Sequence, residues 1–187
     1  MKKFIVNTKA LRLLADTITP VSIYLKIRDI YPNSLLLESS DYHGNENSYS
    51  FICMKPVASF EADNGSVLET YPDGSKITTK LTDNHTFKLR FTAFLKSFSQ
   101  SDLHEGIPVN GLFGYTSYDA VQYFEKIKLK DRGASEYKIP DVRYCFYKYI
   151  IAINHFQNIL QIVENQIDGE SSELGRIEIL LNSRNFA

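Results

Sequence analysis

Residues 35–52 read LLLESSDYHGNENSYSFI, in which two apolar runs enclose a polar segment with a single glycine. Both runs have strand length, and the segment between them is rich in loop-forming residues. This stretch therefore predicts a strand, a loop and a returning strand. Because side chains alternate along a strand, one face carries Leu35, Leu37 and Ser39, and the other carries Leu36, Glu38 and Ser40.

The hydroxyl of Ser39 stands at the end of an apolar row if the face of Leu37 is the core face. A buried hydroxyl without a hydrogen-bond partner costs about 1–3 kcal/mol, so it needs a partner from the protein or from a ligand. Serine is also a common turn residue, and a hydroxyl satisfied locally in the polar loop is the simpler alternative. The residues of this stretch leave both interpretations open.

Composition favours one β-rich domain over residues 1–187. The chain is 43% hydrophobic and contains 12 tyrosines, 12 phenylalanines and no tryptophan. A chain of this size buries a substantial core, and aromatic residues in short runs are typical of strands. The net charge of −1 gives no broad positive field that would attract nucleic acid.

Cysteine usage and the amino terminus predict a cytoplasmic protein. Cys53 and Cys145 are isolated, which is typical of small buried hydrophobes in a reducing compartment. The start, MKKFIVNTKALRLL, is interrupted by Lys9 and Arg12 and lacks the apolar centre of a signal peptide. No segment approaches the ~20 apolar residues of a membrane span, so we expect no membrane contact.

Hydrophobic periodicity predicts short strands alternating with helices along the rest of the chain. The predicted elements are strands at 4–6 and 11–15, a helix from Thr19-Pro20 to Tyr31, a meander over 56–81 with a turn at Asn64-Gly65, an aromatic helix over 87–98, a short helix capped by Asp119, strands at 142–153 and 159–163, and a last helix with Leu174, Ile177 and Leu181 inward.

No catalytic or metal-binding constellation is predicted. Gly111 and Gly114 precede a tyrosine, but no G-x-G-x-x-G or G-K-[ST] motif accompanies them, which excludes a phosphate loop. A glycine within a strand more often marks a bend or a close backbone approach. The four histidines lie in separate loops or turns, without the spacing of metal ligands: His43, His85, His104 and His155.

The chain resembles anthranilate synthase component I in three motifs. Leu36-Leu37-Glu38-Ser39 followed by Tyr49-Ser50-Phe51-Ile52 is similar to the opening of that family. The segment 111–125, GLFGYTSYDAVQYFE, is similar to a second motif, with Asn110 where glycine is usual and Gln122 where arginine is common. Ile139-Pro140-Asp141 and Asn154-His155, where Asp-His is more usual, complete the likeness in chain order.

The resemblance implies an α+β fold of antiparallel sheets with a few packed helices. It implies that residues 1–187 are the N-terminal regulatory domain, without the C-terminal domain in which the family binds chorismate and magnesium. The complete enzyme makes anthranilate from chorismate for tryptophan biosynthesis, with ammonia from a glutamine amidotransferase subunit. We therefore expect this fragment to be inactive alone and to hold no cofactor of its own.

The resemblance also implies half of the site at which L-tryptophan acts as feedback inhibitor. Ser39 and Glu38 would receive the ammonium group, through charge-assisted hydrogen bonds. Leu37 would flank the indole ring, and Tyr49 and Ser50 would close the pocket from the returning strand. Some members of the family carry a basic residue near this second segment, whereas residues 48–50 of this chain contain none.

Three other interpretations remain open at the level of sequence. The nearest is component I of aminodeoxychorismate synthase, a related enzyme of folate synthesis with a similar N-terminal domain. A stand-alone module that binds an amino acid is the second. An interaction domain without any ligand is the third.

Overall fold

The structure is a computed structural model that describes residues 2–16, 18–38, 48–100, 111–127, 129, 139–167 and 169–183. Within these residues it has three α-helices, nine strands and one 3-10 helix. The helices are α1 (Pro20–Ile27), α2 (Asn84–Leu95) and α3 (Leu174–Asn182), and the 3-10 helix is Tyr118–Tyr123. The strands are β1 (Phe4–Leu14), β2 (Leu35–Leu37), β3 (Tyr49–Asp63), β4 (Ser66–Thr70), β5 (Lys76–Lys80), β6 (Phe98–Gln100), β7 (Phe113–Thr116), β8 (Val142–Asn154) and β9 (Ile159–Ile167).

These elements confirm the predicted α+β class with antiparallel strand pairs. The chain divides into two compact units, and both β3 and β8 contribute residues to each. The meander unit comprises Met1–Phe4, Val57–Ser99 and Leu112–Phe146, and the helix-pair unit comprises Ile5–Pro56, Gln100–Gly111 and Tyr147–Ala187. The single domain predicted for residues 1–187 stays a prediction, because compactness alone does not establish independent folding.

The meander unit joins the end of β3 to β4 and β5 in antiparallel order. Asn64 and Gly65 both have positive φ, 46° and 70°, which suits the tight hairpin turn that Asn-Gly predicts. Helix α2 packs the aromatic side chains of one face on this meander. The ring centroid of Phe60 in β3 lies 5.7 Å from the ring centroids of Phe87 and Phe94 in α2. The prediction of an aromatic helix over 87–98 is confirmed, but the helix ends at Leu95.

The helix-pair unit places α1 and α3 on the antiparallel strands β8, β9 and β1. Each helix contributes isoleucine or leucine side chains to one buried core, which also takes alternate residues of the strands. The most deeply buried members of this core are Ile23, Ile27, Ile52, Met54, Tyr149, Ile151, Leu160, Ile162, Ile177 and Leu181.

Several predicted boundaries are wrong: besides the earlier end of α2, strand β9 extends to Ile167 rather than to residue 163. Residues 4–6 and 11–15 form one strand rather than two, because β1 pairs with β9 continuously from Val6 to Leu14. Helix α1 ends at Ile27 instead of Tyr31, and the chain continues as turns in which the N–H groups of Ile30 and Tyr31 both donate to the carbonyl of Ile27. Asp119 does not cap the 3-10 helix, because Ser117 occupies the N-cap position.

Buried tyrosines donate hydrogen bonds to carboxylates in both units. Burial and the hydrogen bond to Glu69 raise the pKa of Tyr71 to about 12. Burial is likewise the main cause that raises the pKa of Tyr123, which donates to Asp141, and the pKa of Tyr149, which donates to Glu173.

We expect the free energy of unfolding to fall as pH rises from about 10 towards 12. Above pH ~10 an unfolded chain releases phenolic protons that the folded chain retains, so the unfolded state is favoured. Urea titrations at about pH 9 and about pH 11 should show this loss, and Tyr71→Phe should make it smaller. Tyr118→Phe is the control, because Tyr118 is 85% exposed. If the free energy of unfolding fell equally in wild type and in Tyr71→Phe, the raised pKa of Tyr71 would not be a cause of the loss.

Candidate functional site

A cavity of about 320 Å³ opens in the helix-pair unit, where helix α1 begins and the turn between β8 and β9 lies. This volume is at the lower end of the roughly 300–1,000 Å³ usual for small-molecule pockets. Its apolar walls are Ala15, Ile18, Pro20, Val21 and Ile153, and its polar groups are Thr19, Glu38, Asn154, His155 and Asn158.

Glu38 reaches the cavity because β2 delivers it there. Strand β2 pairs with β3, with Leu36 opposite Ile52 and Leu37 opposite Phe51. Leu36 packs on the buried core of the unit, so alternation directs Leu37 to the other face. The core side of this strand is therefore the side of Leu36, and Glu38 follows directly at the rim of the cavity.

Tyr49 and Ser50 lie on opposite faces of β3, since neighbouring residues of a strand alternate. Tyr49 stacks on Phe51 at 5.9 Å between ring centroids, on the face of Leu37. Ser50 has no exposed surface and lies on the core side with Ile52. One pocket on one face of β3 therefore does not receive both side chains.

His155 joins the returning strand to the cavity. Its Nε2 shares a hydrogen bond of 2.7 Å with the Oγ of Ser50, and its backbone N–H donates to the carbonyl of Ser48 at 3.0 Å. The next turn residues are fixed as well, because Asn154 Oδ1 accepts from the N–H of Gln157 at 2.9 Å. His155 lines the cavity and is hydrogen-bonded to Ser50, so the buried hydroxyl of Ser50 is connected to the cavity through His155.

The structure brings only part of the predicted site together. Glu38 lines the cavity, and Ser50 reaches it through His155. Leu37 and Tyr49 occupy the other face of β2 and β3. Ser39 lies outside the described residues, so its predicted role stays a prediction, as do the roles of the other four.

Sequence reasoning missed His155 as a site residue. The Asn154-His155 pair belongs to the family likeness, but Ser50, to which His155 is hydrogen-bonded, lies 105 residues away in the chain. No local pattern identifies such a pair. The only signal in the sequence is weak: His155 directly follows a long apolar strand, so it stands at the end of that strand. The structure places this end of β8 beside the start of β3.

The cavity combines one carboxylate with apolar walls, an arrangement suited to a cationic group attached to a hydrophobic body. Among the described residues, no group of three or more His, Cys, Asp or Glu side chains is arranged to hold a metal ion. None of the helices in this part of the chain has the length and hydrophobicity that a membrane-spanning helix requires.

Comparison with known proteins gives a consistent result, although no family model matches the sequence. Anthranilate synthase component 1 of Thermus thermophilus is 27% identical over 165 residues, covering 86% of this chain and 32% of that protein. The Pseudomonas putida protein of the same name is 32% identical over 138 residues, covering 71% of this chain and 26% of that protein.

A solved structure is also similar. The crystal structure of anthranilate synthase component I from Streptococcus pneumoniae is 21% identical, with a TM-score of 0.48, and covers 93% of this chain and 35% of that one. The chain spans less than a third of the length of either curated relative. Over most of its length, the chain is therefore similar in sequence to anthranilate synthase component I proteins, of which it spans about a third or less.

Proposed function

We propose that this chain is the tryptophan-sensing part of an anthranilate synthase component I. The observation that carries the proposal is the cavity of about 320 Å³ that Glu38 lines beside His155. In this proposal the Glu38 carboxylate accepts hydrogen bonds from the ammonium group of L-tryptophan. The apolar walls provided by Ile18, Pro20 and Val21 contact the rest of the ligand.

The placement of the predicted residues refines this proposal. Ser50 takes part through its hydrogen bond to His155 rather than by direct contact with the ligand. Leu37 and Tyr49, on the other face of the strand pair, are available to residues outside this chain. Ser39 keeps the direct role that the family resemblance assigns to it.

The remaining functions of the enzyme belong, in this proposal, to protein outside the chain. A chorismate-binding domain holds the magnesium ion and forms anthranilate, a lyase reaction, with ammonia from a glutamine amidotransferase subunit in the cytoplasm. The chain alone is then inactive. Because the chain contributes only some of the tryptophan contacts and association itself costs several kcal/mol, binding is best measured in the longer enzyme.

Replacing Glu38 by glutamine in the longer enzyme is expected to weaken tryptophan binding by about 10- to 100-fold. A hydrogen bond to a charged group contributes about 1.5–3 kcal/mol, and a neutral amide does not replace the carboxylate opposite an ammonium group. The half-inhibitory tryptophan concentration should rise accordingly, while the rate without tryptophan stays close to wild type. Inhibition curves and equilibrium dialysis measure the two effects.

Asp29→Asn is the matched control, because it makes the same charge change on an exposed side chain that does not line the cavity. We expect wild-type inhibition from this variant. If Glu38→Gln leaves the inhibition curve unchanged, tryptophan does not use this cavity. If the wild-type enzyme is not inhibited by tryptophan at all, the proposed function itself fails.

A further inference from the structure

Helix α1 links the cavity to helix α3. Its first residues, Thr19, Pro20 and Val21, line the cavity. At its other end the Lys26 ammonium donates to the carbonyl oxygens of Leu181 and Ser183, each at 2.8 Å. One short helix therefore contacts the candidate ligand site at its start and the last turn of α3 at its end.

Helix α1 is short and is held by hydrogen bonds at its start. Thr19 and Ser22 form a reciprocal capping box, with hydrogen bonds of 3.1 and 3.2 Å between side chains and backbone N–H groups. Its eight residues span only about 12 Å. Ile23 and Ile27 are buried in the core that also receives Ile177 and Leu181 of α3, so the two helices are packed in one core.

Helix α3 is held differently at its two ends. The buried Glu164 of β9 fixes its start: one carboxylate oxygen accepts from the N–H of Glu173 at 2.9 Å and the other from the Ser172 hydroxyl at 2.6 Å. Its end is held by Lys26 of α1. Through its hydrogen bonds to Leu181 and Ser183, Lys26 therefore connects α1 to the carboxyl end of α3 and not to its start.

From this arrangement we propose that Lys26 is a positioning residue for allosteric regulation: it transmits the occupancy of the cavity through α1 to the carboxyl end of α3. The inference rests on the proposed tryptophan site. It assigns to this chain a path for the signal, separate from the residues that bind the ligand. Since Lys26 does not line the cavity, its loss should affect coupling and not tryptophan affinity.

The test compares Lys26→Met, Lys26→Arg and wild type in the longer enzyme. Tryptophan affinity is measured by equilibrium dialysis without chorismate, and coupling is the factor by which saturating tryptophan weakens chorismate binding. Coupling factors in allosteric proteins are commonly about 5–150. We expect Lys26→Met to reduce the factor at least about fivefold with tryptophan affinity within about threefold of wild type. Lys26→Arg, which retains cationic donors, should keep most of the coupling.

Ser183→Ala is the matched structural control. It removes the hydrogen bond from the Ser183 hydroxyl to the Leu180 carbonyl, 2.8 Å long, at the same end of α3 but leaves the contacts of Lys26. A merely structural role of Lys26 predicts that both variants lose coupling equally, which would overturn the inference. So would a wild-type coupling factor in Lys26→Met, or a large loss of its tryptophan affinity.

Hydrogen exchange on the wild-type enzyme provides a second measurement that does not depend on any variant. Tryptophan should change the exchange rates of the backbone amides at Leu181 and Ser183, and unchanged rates there would contradict the inference. If tryptophan inhibits the enzyme and Glu38→Gln relieves this inhibition, but these amides do not respond, the proposed function stands and the path through α1 fails. If tryptophan has no effect on the enzyme, both fail.

Discussion

Replacing Arg90 by leucine is expected to lower the free energy of unfolding by about 3–5 kcal/mol. Glu69 is fully buried on β4, and Arg90 of α2 donates to both of its oxygens at 2.7 Å. The same interaction raises the pKa of Arg90. Among the described residues, the hydrogen bond from Tyr71 to the carboxylate then remains, and the carboxylate is left without a cationic partner there. Urea denaturation of the wild-type and variant chains measures the difference.

Lys88→Leu removes the same charge from an exposed position on the same helix, and it should change stability by no more than about 0.5 kcal/mol. The double variant Glu69→Met with Arg90→Met should recover much of the loss, because a buried ion pair replaced as a whole by apolar residues is often nearly neutral. A cost below about 1 kcal/mol for Arg90→Leu would show that the pair behaves like an exposed salt bridge.

Gly114→Ala is expected to destabilise the chain by about 3 kcal/mol or more, beyond the usual cost of one added methyl group. Gly114 of β7 lies opposite Tyr144 of β8, and a Cβ at this glycine would stand 1.9 Å from the carbonyl oxygen of Arg143. The atom in the way is backbone, so it does not yield as a side chain would. The short strand β7 must separate from β8 to admit the methyl group.

Gly111→Ala is the matched control from the same motif, since an added Cβ there meets nothing within 4 Å. An alanine at a compatible backbone position stabilises by about 0.4–1 kcal/mol through the unfolded state, so this variant should be neutral or slightly more stable. Thermal melts of the two variants side by side test the contrast. Equal melting temperatures would mean that β7 shifts at little cost.

The glycine motif also shows how far local reasoning reaches. The sequence predicted a close backbone approach for a strand glycine and excluded a phosphate loop, and Gly114 meets the backbone of β8. Which of the two glycines makes the approach depended on the pairing partner, about thirty residues further along the chain. The same local rules predict Asp119 as a helix N-cap, whereas Ser117 occupies that position in the structure.

In the candidate site, too, the sequence predicts some features and leaves others to the tertiary structure. The apolar run predicted the strand at Leu35–Leu37, but it also predicted that Glu38 belongs to the strand, whereas β2 ends at Leu37. The pairing of Ser50 with His155 was not predicted, because no periodicity relates residues 105 positions apart. The face of β2 that meets the core was also open, since three consecutive leucines offer an apolar side chain to either face.

The sequence alone determined the approximate positions of most strands and helices, because apolar periodicity, the Thr19-Pro20 start of α1 and the Asn64-Gly65 turn act over a few residues. Tertiary structure decided what those elements meet. The positive φ of 57° at Lys55 inside β3, and the carboxylate of Glu164 that fixes the start of α3, have no local signature. Such features arise when distant backbone and polar groups must be satisfied together in one core, a requirement that no short window of sequence contains.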